Sequence, residues 1–326
     1  MVQLQDQEIK EIIKKNYSGI QGVFFEVQSS FLSGIYNRYN KDLDGGNIVI
    51  YFAKEFHQQV LRQRDSDLDH DISLENFWNN HKNIKQKNLK IINISNETGL
   101  PKETTRRKIN ILLKSKILHK KDKKIFWQPP DMGKKSFETV VENQINDISK
   151  LVNVISNHLK VEIPTIKIEE HIKKHYSFIW FHYLSAFLKC TNIWQKTLND
   201  LELALISLQC IIITERLARN EKIYSYKDHY LSKKTKNIDF SKADVSSTSI
   251  SDVTGIPRAT CIRKLNKLVS LKLIKKNKDT KRYYVELSAT NTNLLFNKEN
   301  TDNIISIFSS FYLVILRTLA RENLKS

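Results

Sequence analysis

The sequence predicts a mainly α-helical chain built from two tandem units, and three observations carry that prediction. Helix breakers are scarce, with 8 Gly and 5 Pro in 326 residues, while Leu, Ile, Lys and Asn abound. A stretch that reads as helix, tight turn, basic helix and hairpin occurs at residues 94–127 and again at 250–284. The two copies align without a gap at a constant separation of 156 residues, pairing Ser95 with Ser251, Gly99 with Gly255, Pro101 with Pro257, Thr104 with Thr260 and Arg107 with Arg263. Asn110 and Asn266, Leu112 and Leu268, and Lys116 and Lys272 pair in the same way. So, upstream, do Phe25 and Phe181, Ser29 and Ser185, Phe31 and Phe187, and Leu32 and Leu188. A period kept over that distance points to duplication of a whole unit. The expected units are 1–160, with its motif at about 89–128, and 161–326, with its motif at about 245–287.

In chain order, residues 7–15 are amphipathic and read as a short helix. Residues 22–39 follow as an aromatic-rich helix carrying Phe24, Phe25, Val27, Phe31, Leu32 and Ile35. The DLDGG stretch at 42–46 has the composition of a turn, and 47–63 reads as another helix. Residues 64–88 are polar and support neither helix nor strand firmly. A small strand is expected at 89–92, ahead of the first motif. Pro129, Pro130 and Gly133 break the chain, and 137–159 then forms a long helix on the stripe Val140, Val141, Ile145, Ile148, Leu151, Val152 and Ile155. Residues 161–166, with Pro164, read as the junction. Helices at 167–194 and 198–220, a polar Lys-rich stretch at 221–246, the second motif and a final helix at 300–323 complete the second unit.

Within the second motif Ser251 and Asp252 suit the start of a short helix, Gly255 its end and Pro257 the first turn of the next. Cys261, Leu265, Leu268 and Val269 recur at three- and four-residue spacing and form one apolar stripe. Arg258, Thr260, Ile262 and Arg263 fall off it and are expected outward. The apolar, basic, then β-prone order of residues 271–285 suits a hairpin with a charged tip.

The pattern T-G-I-P-R-x-T-x-x-R-K-L-x-x-L followed by a basic hairpin resembles the winged helix-turn-helix of MarR- and IclR-type transcription regulators. The resemblance covers the two motifs and not the whole chain. It implies a mainly α fold of two tandem winged helix-turn-helix units, short β-hairpin wings set among long flanking helices in a pseudo-twofold arrangement. A homodimer of the double unit is equally open, and an unknown small-molecule effector, of the kind sensor helices bind, is a further candidate partner.

Charge points the same way. The chain has 53 Lys and Arg against 35 Asp and Glu, a formal net charge of +18, which suits a polyanionic partner. Lys102, Arg106, Arg107, Lys108, Lys114, Lys116, Lys120, Lys121, Lys123 and Lys124 crowd the first motif. Arg258, Arg263, Lys264, Lys267, Lys272, Lys275, Lys276, Lys278, Lys281 and Arg282 crowd the second. The expected partner is double-stranded DNA. Base edges would be reached from Lys102, Glu103, Thr104 and Arg106 in one unit and from Arg258, Ala259, Thr260 and Ile262 in the other. Arg106 suits a bidentate pair with guanine, Ile262 only a thymine methyl. Arg107 and Arg263 are the expected phosphate anchors. The hairpin lysines Lys121, Lys123, Lys124, Lys276, Lys278 and Lys281 would lie over flanking phosphates or a minor groove. Because Glu103 stands opposite Ala259, the two half-sites should differ.

Other clusters read as structural. Asp65, Asp67, Asp69 and Asp71 alternate, but His70 and Asn76 stand where an EF-hand needs Gly and Glu, leaving a solvated acidic loop. His171 and His175 have i, i+4 spacing without the zinc-protease Glu, and read as a surface pair. Trp180, Phe181, Tyr183, Phe187 and Trp194 read as ordinary core. Cys190, Cys210 and Cys261 form no CxxC pair, which argues against a disulfide framework or zinc site and fits a reducing cytosol. No phosphate loop, nucleophile elbow or catalytic dyad occurs, so no enzyme, cofactor or metal is expected. The most apolar windows, 201–214 and 304–319, fall short of a membrane span. The expectation is a cytoplasmic, sequence-specific transcription regulator; a replication initiator with tandem winged domains and a winged-helix protein-assembly factor are its rivals.

Overall fold

The computed structural model describes residues 5–130, 134–230, 234–287 and 298–323. The helices among them are α1 (Asp6–Lys15), α2 (Tyr17–Arg38), α3 (Leu43–Ser66), α4 (Leu74–Asn80), α5 (Ile91–Thr98), α6 (Lys102–Lys114), α7 (Lys134–His158), α8 (Thr165–Lys174), α9 (Tyr176–Leu198), α10 (Leu201–Asn220), α11 (Tyr226–Tyr230), α12 (Ser247–Thr254), α13 (Arg258–Ser270) and α14 (Lys298–Asn323). The strands make two antiparallel hairpins, β1 (Leu118–Lys121) with β2 (Lys124–Trp127), and β3 (Lys275–Lys276) with β4 (Tyr283–Tyr284). The chain is mainly helical, as its composition predicts.

Packing divides the chain differently from the expected boundary at 160/161. One compact unit takes Met1–Lys41, Val154–Val161 and Thr197–Ser309; the other takes Asp42–Asn153, Glu162–Lys196 and Ser310–Ser326. Burial of apolar faces, and not the spacing of the two motifs, sets which segments pack together.

In the first unit α10 is the central helix. Leu201, Leu203, Ala204, Leu205, Ile206, Leu208, Cys210 and Ile211 are all buried, so the first three turns of the helix bury apolar side chains on several sides. Asp200 caps it, accepting from the amides of Glu202 (3.0 Å) and Leu203 (3.2 Å). Helix α2 lies along α10, where a buried hydrogen bond runs from Gln209 Nε2 to Ser29 Oγ at 2.6 Å. Helices α12 and α13 pack on α10 from another side.

In the second unit α3 has the same role, with Ile48, Val49, Phe52 and Phe56 buried, and α5, α6 and β2 packed against it. The expected turn at 42–46 is instead the start of α3. Asp42 is its N-cap, accepting from the Gly45 amide at 3.0 Å. A Cβ on Gly45 would stand 2.7 Å from Asp42 Oδ2, so the glycine makes room for the cap. Composition suggested a loop because cap residues and turn residues are the same residues.

Other boundaries also differ. The helix expected at 167–194 is two, α8 and α9, interrupted at His175. No strand forms at 89–92, since α5 begins at Ile91. Ser251 and Asp252 lie inside α12, which starts earlier on a Ser246 cap accepting from Ser249 N at 3.0 Å. The polar stretch at 64–88 holds α4 and a one-turn 3₁₀ helix, and 221–246 holds α11 and two more such turns.

Candidate nucleic-acid interface

Each helix–turn–helix is built in the same way. Helices α5 and α12 coincide at the 156-residue separation at both ends, and so do α6 and α13. Gly99 (φ 74°) and Gly255 (φ 73°) end the first helix in the left-handed conformation, which a side chain would strain. Space is short as well: a Cβ on Gly255 would meet Asn37 Oδ1 at 2.5 Å. Thr98 and Thr254 each donate to the carbonyl four residues back, Ile94 O and Ile250 O, at 2.7 Å. Pro101 and Pro257 sit at the N-cap just outside the second helix, one residue earlier than expected. Past that helix, Lys116 and Lys272 both take φ 58° and turn the chain into the hairpin.

The second helix of each pair turns one face inward, Thr105, Ile109 and Leu112 in α6 and Cys261, Leu265 and Leu268 in α13. The opposite face is open. Lys102, Glu103, Arg106 and Arg107 are exposed on α6, and Arg258 and Arg263 on α13. Thr104, Thr260 and Ile262 are half-buried at the margin, so Ile262 is less outward than its spacing suggested. Arg106 pairs with Glu103 at 3.3 Å, and Arg258 Nε donates to Thr248 Oγ1 at 3.1 Å. Arg107 and Arg263 have no ionic or hydrogen-bond partner among the described residues.

Two lysines of the basic clusters are committed elsewhere. Lys108 Nζ lies 2.6 Å from Asp42 Oδ1, and Lys264 Nζ lies 2.5 Å from Asp200 Oδ2 and 2.9 Å from Glu202 Oε2. In both units the inward lysine of the second helix binds the Asp that caps the central helix. These cations hold the helix–turn–helix to α3 or α10 and are not available to phosphates. Sequence spacing placed them among the basic residues; their partners are distant in sequence and showed no local signal. On the second hairpin, Lys275 pairs with Glu286, and Arg282 with Asp244 at 3.3 Å.

The hairpins are held in different ways at matching positions. Tyr283 exchanges two backbone hydrogen bonds with Val245, N to O at 3.0 Å and O from N at 2.8 Å. Trp127, 156 residues earlier, pairs instead with a side chain: Gln86 Nε2 donates to Trp127 O at 2.6 Å, and Trp127 N donates to Gln86 Oε1 at 3.3 Å. The amide of Gln86 thus does for the first hairpin what the backbone of Val245 does for the second. Lys121 and Lys123 are exposed at the first hairpin's turn, and Lys124 is half-buried. On the second, Lys276 Nζ stands 5.3 Å from the Tyr283 ring centroid and Lys281 Nζ donates to Lys278 O at 2.6 Å, while Lys278 is exposed.

Asp67 and Asp71 accept backbone amides from Asp69 (3.1 Å) and Ser73 (2.8 Å), folding the acidic loop on itself. Trp180, Tyr183, Phe187 and Trp194 are buried, with Phe181 half-buried. Cys190 and Cys210 are buried thiols whose pKa burial pushes up to about 12, and burial raises that of Cys261 to about 11, against the opposing hydrogen bond of Thr254. They stay protonated and unreactive near neutrality. Of the His171–His175 pair expected at the surface, His171 is buried, at 3% exposed, and His175 is half-buried. By length and composition alone helix α14 could cross a membrane, and half of its most apolar stretch is buried inside the protein.

No protein-family profile, curated protein or solved structure matches the chain.

Proposed function

We propose that the chain is a sequence-specific double-stranded-DNA-binding transcription regulator of the cytoplasm, built from two winged helix-turn-helix units that arose by duplication. One observation carries the reading above the others: α6 and α13, with coinciding bounds, each turn a cationic face to solvent beside a cationic hairpin. In this reading α6 and α13 are recognition helices. Lys102, Thr104 and Arg106, and Arg258, Thr260 and Ile262, meet base edges. Arg107 and Arg263 hold phosphates, and the hairpin lysines Lys121, Lys123, Lys124, Lys276, Lys278 and Lys281 grip the flanking backbone. Arg106 must leave Glu103 to reach a guanine, and as an exposed pair at i, i+3 that bond is worth under about 1 kcal/mol.

A second reading, a winged-helix module that docks other proteins, has its own support. Ile92, Ile111, Val253 and Leu271 are large apolar side chains exposed on or beside the same helices. Selection of bound fragments from a random duplex pool at physiological salt separates the two. Enrichment of two unlike half-sites is expected. A footprint over repeated sites near one origin would indicate a replication initiator, and no retention from the pool would favour protein docking.

A further inference from the structure

Helix α8 and the end of α14 bring together His171, His175 and Glu322, whose ligand atoms all lie within 4.8 Å of one another. His171 Nε2 is 2.8 Å from Thr318 Oγ1, a hydroxyl that also lies within reach of Val314 O (3.1 Å) and Ile315 O (2.9 Å) on its own helix. When it donates to the backbone, as helical threonines do, it accepts from the imidazole, and Nε2 carries the hydrogen. In that tautomer the lone pair lies on Nδ1, which faces Glu322 Oε2 at 2.6 Å, the arrangement that lets one cation bind both. His175 Nε2 approaches the other oxygen, Oε1, at 2.9 Å. Two imidazoles one helical turn apart and a facing carboxylate are a nitrogen and oxygen donor set suited to zinc and its neighbours, and poorly suited to magnesium or calcium.

We propose that His171 Nδ1, His175 Nε2 and the Glu322 carboxylate bind a divalent transition-metal cation of the zinc class, with Thr318 fixing the His171 tautomer. Metal bonds of about 2.0–2.1 Å in a tetrahedron require the contacts at 2.6 and 2.9 Å to widen by less than about 1 Å. His175 and Glu322 are about one-third exposed, which gives an entry path and leaves a fourth position for water. The competitor is Lys174, whose ammonium lies 2.6 Å from Glu322 Oε1 on a side chain 68% exposed; it must swing out when the metal enters. The bound ion would tie α8 to the end of α14. This inference does not depend on DNA binding.

The test uses the full chain without an affinity tag, stripped with a chelator and titrated with ZnCl2 by calorimetry and with CoCl2 by visible absorption. One equivalent of Zn2+ at micromolar affinity or tighter is expected, with a d–d band for Co2+ and no competition from millimolar Mg2+. Glu322→Gln and His175→Asn should each weaken uptake by about tenfold or more, Thr318→Val should weaken it less, and Lys174→Ala should strengthen it. Absence of saturable uptake by the wild type would overturn the proposal, leaving a proton rather than a metal between the groups. So would uptake unchanged in Glu322→Gln and His175→Asn proteins that keep the wild-type circular dichroism.

Discussion

Neighbouring cations on α13 do opposite work. Arg263 is exposed and has no partner among the described residues, whereas Lys264, 6% exposed, binds Asp200 and Glu202. A charge this enclosed cannot be removed without leaving its carboxylates short of a donor, and Asp200 is also the cap of α10. Lys264→Ala is therefore expected to destabilise the fold by about 2–3 kcal/mol, from charge-assisted hydrogen bonds of about 1.5–3 kcal/mol. Arg263→Ala should change stability by less than about 0.5 kcal/mol. Urea denaturation of the two variants checks this, and equal midpoints would remove the structural role assigned to Lys264. Sequence could not separate the two residues. Both are basic and adjacent, and the deciding partners lie more than sixty residues away at the start of another helix.

The helix–turn–helix segments were legible because their signals are local: Gly99 and Gly255 need a left-handed φ, Pro101 and Pro257 stand at the next helix start, and the apolar stripes fix the inward face. The hairpin supports were not legible. A strand is expected at 89–92 ahead of the first motif and none ahead of the second, yet it is Val245, before the second, that pairs by its backbone, while the first hairpin relies on the Gln86 side chain. No periodicity marks an amide that imitates a strand. Gln86→Leu should lose both bonds to Trp127 and leave a partly buried amide and carbonyl unmet, at a cost of about 1–3 kcal/mol. Hydrogen exchange is the appropriate probe, and the Trp127 amide should exchange faster while amides of α6 change little. Uniform change across both elements would mean that the hairpin and helix open together. The lost turn at 42–46 and the shifted start of α12 have the same origin, since Asp42 and Ser246 act as caps where composition reads as loop or interior.

At the scale of the molecule, the repeat of 156 residues was visible in sequence but the partition of the chain was not. Each compact unit draws on segments from both sides of residue 160: in the first α2 buries its apolar face on α10, and in the second α4 packs against α8. Fragments 1–160 and 161–326 expressed apart should accordingly fail to give cooperative melting, and should regain it on mixing; two independently folding fragments would contradict this division. In the proposed function DNA lies on the exposed faces of α6 and α13, and the salt dependence of duplex affinity measures this most directly. Each phosphate neutralised contributes about 0.9 to the slope of log K against log salt. The Arg107→Ala, Arg263→Ala double variant is predicted to fold as the wild type does, bind every duplex more weakly and lose about 2 from that slope. An unchanged affinity and slope in a folded double variant would contradict the placement of DNA on these two helices.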